Sequence, residues 1–286
     1  MKLGVTGATG HLGRIVIEKL KGSAFSESIV ALVRSREKAS DMGIEVREFD
    51  YNEPENLLNT LKNLDNLLLI SGSEVGQRAR QHSNVIAAAK KAGIKWIVYT
   101  SILRADKSTI SLASEHLETE LTIKASGIPF TILRNGWYAE NYTGSVQSAL
   151  AGGAYPGSAG EGEISMAVRA DYAEAAAVVL SGKEHQGKIY ELAGDEAYTL
   201  GDLAAEISRQ TGKNIPYTNL PEAEYADILK SFGVPEDMAY AIAGWDVSAS
   251  KGDLFDNSYQ LSKLIGRPTV KLSEAVKEAL DLKKAP

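Results

Sequence analysis

Two hydrophobic periods alternate along the first half of the chain. Short runs in which nearly every residue is apolar give way to longer stretches whose apolar residues recur every three or four positions. The runs over 3–6, 28–34, 44–50, 66–71, 95–101 and 129–134 predict strands. The unbroken Leu67-Leu68-Leu69-Ile70 within 66–71 predicts a strand buried on both faces, as in a parallel sheet covered by helices. Between the runs, Ile15, Val16 and Leu20 mark a first helix, and 36–42 a short helical stretch. A helix capped near Asn52 follows, with Pro54 at an early position. Further helices are predicted over 81–92 and 112–125, each followed closely by a glycine, Gly93 or Gly127. Repeated strand–helix units of this kind predict an α/β fold with a doubly wound parallel sheet.

The pattern changes after Asn135. Residues 144–167 are rich in glycine and polar residues and predict loops with at most one strand or hairpin. From Arg169 an alanine-rich helix runs through Leu180 and returns to the sheet, followed by a strand over 188–192. Thr199 is placed to cap a helix over 200–211, and the remainder reads as helical, closing with 272–282. The expected division is a sheet domain of 1–135 with returning segments at about 165–192, and a smaller C-terminal α/β lobe built from 136–164 and 193–286.

Candidate chemistry begins at the first turn. Gly7-Ala8-Thr9-Gly10-His11-Leu12-Gly13 stands between the first strand and the first helix. Strand, glycine turn and helix together aim free backbone N–H groups and a positive dipole end at a pyrophosphate, the arrangement of a Rossmann dinucleotide site. The residue that reads the adenosine ribose in such folds stands at the end of the second strand, and here it is Arg34, with Arg36 close behind. A guanidinium there suits a 2′-phosphate, so the expected cofactor is NADP(H). Asp50, ending the third strand, is expected near the adenine. Ser71-Gly72-Ser73 ends the fourth strand, where a ligand crosses the carboxyl edge, and its glycine permits a close backbone approach.

Many enzymes of this fold carry a tyrosine and a lysine four residues apart on the helix after the fifth strand. Of the 12 tyrosines only Tyr259 has a lysine at that spacing, Lys263, and it lies far downstream. In the expected place stand His116 and Glu120, which share a helix face as either a proton-handling pair or a structural one. Without the tyrosine–lysine pair, acid–base chemistry on an alcohol is disfavoured, and hydride transfer to an acceptor needing little proton assistance is left. Asn135-Gly136-Trp137-Tyr138-Ala139-Glu140-Asn141-Tyr142 follows the sixth strand and offers amides and aromatic rings for a flat acceptor. No catalytic residue is assigned; the candidates are Asn135, Trp137, Tyr138 and His116. The four histidines show no metal-ligand spacing beyond the 116/120 pair, so no metal is expected.

At these residues the chain resembles the NmrA-like group of atypical short-chain dehydrogenases, and within it the bacterial quinone-reducing branch. The matching stretches are Gly7-Ala8-Thr9-Gly10 with Gly13, Arg34, Ser71-Gly72-Ser73-Glu74-Val75-Gly76-Gln77-Arg78, Leu133-Arg134-Asn135-Gly136-Trp137-Tyr138, Arg169-Ala170-Asp171-Tyr172, Ser250-Lys251-Gly252 and Leu261-Ser262-Lys263-Leu264-Ile265-Gly266. They span nearly the whole chain. The resemblance implies NADPH held by Gly7, Ala8, Thr9, Gly10, His11, Leu12, Arg34, Ser71, Gly72, Ser73, Asn135, Gly136, Trp137, Tyr138, Ala139 and Glu140. It also implies direct hydride transfer to a quinone or other flat aromatic acceptor without a flavin, the acceptor being held by the smaller lobe. Relatives with other roles, a triphenylmethane-dye reductase and non-catalytic dinucleotide sensors, define the alternatives.

Composition narrows the partners further. Hydrophobic residues make up 44% and charged residues 24% of the 286, an ordinary globular balance. A formal net charge of −6 disfavours general binding to nucleic acid or anionic membranes. With no cysteine, disulfides and thiolate nucleophiles are excluded, which suits a cytoplasmic protein. No signal peptide or membrane-spanning run is expected.

Overall fold

The computed structural model describes residues 1–22 and 26–281. In chain order the elements are β1 (Leu3–Thr6), α1 (His11–Lys21), β2 (Ile29–Val33), β3 (Glu45–Glu48), α2 (Pro54–Leu61), β4 (Asn66–Leu69), α3 (Arg78–Ala92), β5 (Trp96–Ile102), α4 (Ala113–Ser126) and β6 (Phe130–Asn135). There follow α5 (Ala139–Thr143), α6 (Val146–Gly152), β7 (Tyr155–Gly157), α7 (Arg169–Ser181) and β8 (Ile189–Leu192). The chain continues through α8 (Leu200–Thr211), β9 (Tyr217–Asn219), α9 (Glu222–Ser231), α10 (Glu236–Ser250), α11 (Gln260–Ile265) and α12 (Leu272–Asp281). It divides into two compact units: Met1–Asp106 with Leu112–Asn135 and Arg169–Glu191, and Lys107–Ser111 with Gly136–Val168 and the chain from Leu192 onward.

The first unit is built on a seven-stranded sheet of order β3-β2-β1-β4-β5-β6-β8. Strands β1 to β6 pair in parallel, with Leu3 opposite Ile29 and Asn66, and Ile97 opposite Phe130. The strand order reverses between β1 and β4, the point where an open α/β sheet splays its carboxyl ends apart. Side-chain alternation explains why both faces are apolar. Val30, Leu32, Leu67, Leu69, Ile97 and Tyr99 point to one face, where they pack with Leu57, Val85, Ile86 and Ile123 of α2, α3 and α4. Val5, Ala31, Leu68 and Val98, at the alternate positions, are buried as well. Trp96 is buried in β5, its Nε1 donating to Thr131 Oγ1 on β6 at 3.1 Å.

In the second unit the glycine-rich stretch holds the one strand the sequence allowed, and departs from expectation by also forming a helix. It contains the helix α6 and the strand β7, which pairs in parallel with β9, so that Tyr155 lies opposite Tyr217. Thr199 caps α8 as expected, and Asp202 completes a capping box: the Thr199 side chain accepts from Asp202 N, and the Asp202 side chain accepts from Thr199 N. The helix expected over 36–42 is only a 3-10 turn, Glu37–Ala39, and α2 is led by Glu53 rather than Asn52. Helix α12 ends at Asp281; Leu282, the expected last residue, lies outside the described residues. Among the described residues no helix is long and apolar enough to cross a membrane.

Candidate functional site

The first turn adopts a conformation that its glycines make possible. Gly7 has φ +57°, a left-handed backbone that a side chain strains. Gly10 N donates to Gly7 O at 2.9 Å and closes the turn. A Cβ on Gly13 would stand 2.3 Å from Gly7 O, so only glycine lets α1 pack this close to the end of β1. Gly10 caps α1 in extended conformation with no side-chain capping bond, and the first turn carries no acidic residue. The leading N–H groups of α1 therefore have no side-chain cap from Gly10 and no acidic side chain in the first turn, at the positive end of the helix dipole and just after the carboxyl end of β1. Ala8 and Leu12 are buried, while Gly7, Gly10 and His11 are exposed.

Arg34 follows the last residue of β2, the strand next to β1, and its side chain is 65% exposed. The donors at the head of α1 and the Arg34 guanidinium fit the anionic groups of a phosphorylated dinucleotide. At 2.8 Å from Arg34 Nη1 lies Glu74 Oε1, a pairing that no sequence spacing announces.

The end of β4 is pinned by polar groups on both sides. Ile70 N donates to Thr6 Oγ1 at 2.9 Å, and Ser71 N to Thr100 Oγ1 at 3.0 Å. Gly72 N donates to Nε2 of His82 at 3.0 Å, while Arg78 Nε donates to Gly72 O at 2.6 Å. Because Nε2 accepts, His82 carries its proton on Nδ1, which lies 2.9 Å from Thr119 Oγ1. Burial holds the His82 imidazole neutral, its pKa lowered from 6.5 to about 3, with the nearby Arg78 charge acting in the same direction. Ser71-Gly72-Ser73 is thus a fixed ledge at the carboxyl edge. A Cβ on Gly72 would lie 3.2 Å from Gln81 Oε1.

His116 and Glu120 do not form the expected pair. His116 is buried in α4 with Nδ1 2.8 Å from the Tyr99 hydroxyl, and burial lowers its pKa to about 3. Glu120 accepts from Arg134 Nε and Nη2, both at 2.8 Å, and from Ser101 Oγ at 2.7 Å. Arg134 reaches Asp106 at 2.6 Å and Glu191 at 2.8 Å as well. Spacing set the two side chains on one helix face, but β5 and β6 offered each a separate partner. Asn135, ending β6, is buried, and its Oδ1 accepts no hydrogen bond from the described residues. An N–H donor on a ligand would satisfy that orphaned oxygen.

In the second unit, Trp137 is buried with its ring edge-on to Trp245, centroids 5.6 Å apart at 69°. Trp245 Nε1 donates to Ser111 Oγ at 2.9 Å. Tyr142, one of the three rings in the segment after β6, is committed to structure: its hydroxyl donates to Asp246 Oδ1 at 3.0 Å. Ser158 N donates to Asp246 Oδ2 at 2.9 Å. Tyr138 is half-buried, and its segment runs beside Ala167 through Ala139 N to Ala167 O at 2.9 Å. Asp50 accepts from Asn52 N in a local turn. Tyr259 has φ +56° ahead of α11, and Lys263 donates to Ser258 O. Among the described residues, no three His, Asp or Glu side chains cluster as metal ligands.

A model of the NmrA-like family matches residues 1–279. Quinone oxidoreductase 2 of Escherichia coli (strain K12) is 54% identical over 277 residues, covering 96% of this chain and 97% of that protein. The crystal structure of the Escherichia coli NADPH-dependent quinone oxidoreductase complexed with NADPH aligns with a TM-score of 0.95 at 53% identity, over 97% of this chain and 99% of that one. The Citrobacter sp. triphenylmethane reductase complexed with NADP(H) aligns with a TM-score of 0.93 at 38% identity, over 97% of this chain and 100% of that one.

Proposed function

The chain belongs to the NmrA-like family, and from that premise we propose that it is an NADPH-dependent quinone reductase working without flavin or metal. The observation that carries the reading is the glycine-built, side-chain-uncapped head of α1 after β1 together with an exposed Arg34 at the end of the neighbouring strand. Similarity to the Escherichia coli quinone oxidoreductase supports the choice of acceptor. When bound, the reduced nicotinamide supplies a hydride. The chain's own residues bind and orient. Backbone N–H groups from Gly7 to Leu12 hold the pyrophosphate, Arg34 takes the 2′-phosphate, and the ledge Ser71-Gly72-Ser73 lets the dinucleotide cross the sheet edge. Asn135 Oδ1 accepts from the carboxamide. Gly136, Trp137, Tyr138, Ala139 and Glu140, next in the chain, extend the proposed binding segment, with Tyr138 as the most accessible of its rings.

Catalysis in this reading comes chiefly from proximity and orientation of two flat rings. A buried neutral His116, bonded to Tyr99, is not the proton donor at neutral pH, and in this reading water supplies the proton to the developing quinolate. The test is oxidation of NADPH by purified, flavin-free protein with a series of quinones. Turnover without added flavin is the expected outcome. Tight NADPH binding with no turnover on any quinone overturns the reductase reading and leaves a dinucleotide sensor. Faster turnover with a triphenylmethane dye than with every quinone moves the acceptor class instead.

A further inference from the structure

We propose that Glu74 sets the cofactor preference of this protein by competing with the 2′-phosphate for Arg34 and by offering an acceptor to a free 2′-hydroxyl. The proposal rests on the reading of Arg34 as the 2′-phosphate partner. Its observation is independent of that reading: the guanidinium is already engaged by a carboxylate, 2.8 Å away, supplied by the loop after β4. That carboxylate is held in place. Its second oxygen, Oε2, accepts from Gln81 Nε2 at 2.8 Å. Gln81 is only 3% exposed and lies 3.2 Å from Asn52 Oδ1, so its amide is fixed from behind. The loop itself is anchored to α4, because Gly76 N and Arg78 N donate to the two carboxylate oxygens of Glu115, each at 3.1 Å.

This arrangement does little for the fold. Exposed ion pairs contribute little to stability, and both partners here face solvent, at 65% and 41%. Its effect on a ligand is larger. A 2′-phosphate carries about −1.5 to −2 charges, and a carboxylate beside the same guanidinium repels it while occupying the donor it needs. For a ribose with a free 2′-hydroxyl, the same carboxylate is an acceptor, the role an acidic residue plays in NAD-preferring folds. Glu74 therefore narrows the gap between the phosphorylated and unphosphorylated dinucleotides that Arg34 alone would create.

Calorimetric titration of the full chain with NADP+, NAD+ and adenosine 2′,5′-bisphosphate reads this without turnover. Glu74→Gln is expected to tighten NADP+ and the bisphosphate by about tenfold, leave NAD+ equal or weaker, and leave the melting temperature unchanged. Glu74→Ala is expected to act in the same direction. An NAD+ to NADP+ Kd ratio that stays within twofold of wild type, or that falls, overturns the role of Glu74. Arg34→Ala separates the two levels. A ratio it fails to move overturns the 2′-phosphate reading, and the role of Glu74 falls with it. If Arg34→Ala collapses the ratio while Glu74→Gln does not move it, the role of Glu74 alone is overturned.

Discussion

Gly13 shows how a single missing atom decides whether the dinucleotide turn can form. The Cβ of an alanine there would meet the Gly7 carbonyl oxygen at 2.3 Å and Ala8 Cα at 2.9 Å, both backbone atoms with no rotamer to yield. Moving α1 outward relieves the clash and carries its leading N–H groups away from the sheet edge. Gly13→Ala is expected to lose about 1–3 kcal/mol of stability and to weaken NADP+ more than tenfold. Urea denaturation and calorimetry check the two effects separately. The turn, Arg34 and the Ser71-Gly72-Ser73 stretch could be singled out along the chain as candidates, since the strand–turn–helix context and the strand-end positions are legible from hydrophobic periodicity. Glu74 could not be paired with Arg34 in advance. That contact joins the chain after β2 to the loop after β4 and depends on Gln81 of α3 and on Asn52 after β3, so it draws on three βα units whose meeting the sheet register decides.

At the scale of elements, Arg134 ties α4, β6 and β8 together. Its guanidinium meets Glu120, Asp106 and Glu191, and the Glu120 side chain is fully buried. The paired carboxylates hold the guanidinium protonated, its pKa raised above the usual arginine value. Removing one partner of a buried pair strands the other charge, so Arg134→Met is expected to lose about 3–5 kcal/mol. Adding Glu120→Leu to that variant is expected to restore at least half the loss, read from urea midpoints. Elements with strong periodicity were legible from sequence; the weakly marked ones were not. Strand β9 has three residues, none buried, and thus no alternation to read. Helix α6 buries only Val146 and Ala149 between glycines that read as loop. His116 and Glu120 shared a face as the spacing required, but which neighbour each would choose lay in the strands beside them.

At the scale of the whole molecule, His82, His116 and Asp246 are buried groups with large pKa shifts that bear on the pH dependence of stability, and His185, lowered by burial as well, acts in the same direction as the other two histidines. His82 and His116 have folded pKa values of about 3 against 6.5 when unfolded. The unfolded chain binds their protons first, so stability present above pH 6.5 is lost as pH falls, at about 1.4 kcal/mol per unit for each histidine. Asp246 works the other way. Burial raises its pKa from 3.8 to about 6, so its contribution is present below 3.8 and lost as pH rises through 6. Between pH 6 and 4 His82 and His116 oppose Asp246, so these three groups alone give a net fall on acidification of about 1.4 kcal/mol per unit, to which His185 adds in the same direction. Asp246→Asn keeps a carbonyl oxygen, Oδ1, as the acceptor for Ser158 N, turns Nδ2 towards the Tyr142 hydroxyl oxygen, and removes the cost of ionisation. It is expected to gain about 1–3 kcal/mol at pH 7 and nothing below pH 4. Its acid limb should steepen towards about 2.8 kcal/mol per unit, as urea denaturation across the range will show.

The placement of the indole rings has an optical consequence. The chain has three tryptophans, and they fall on opposite sides of its division into two units. Trp96 sits in the sheet, bonded to Thr131, while Trp137 and Trp245 form the edge-on pair of the other unit. In a Trp96→Phe protein, fluorescence follows the second unit alone. In a protein with phenylalanine at 137 and 245, it follows the dinucleotide-binding sheet. Superimposed melting curves from the two would mark a single cooperative transition, and separated curves would give each unit its own midpoint.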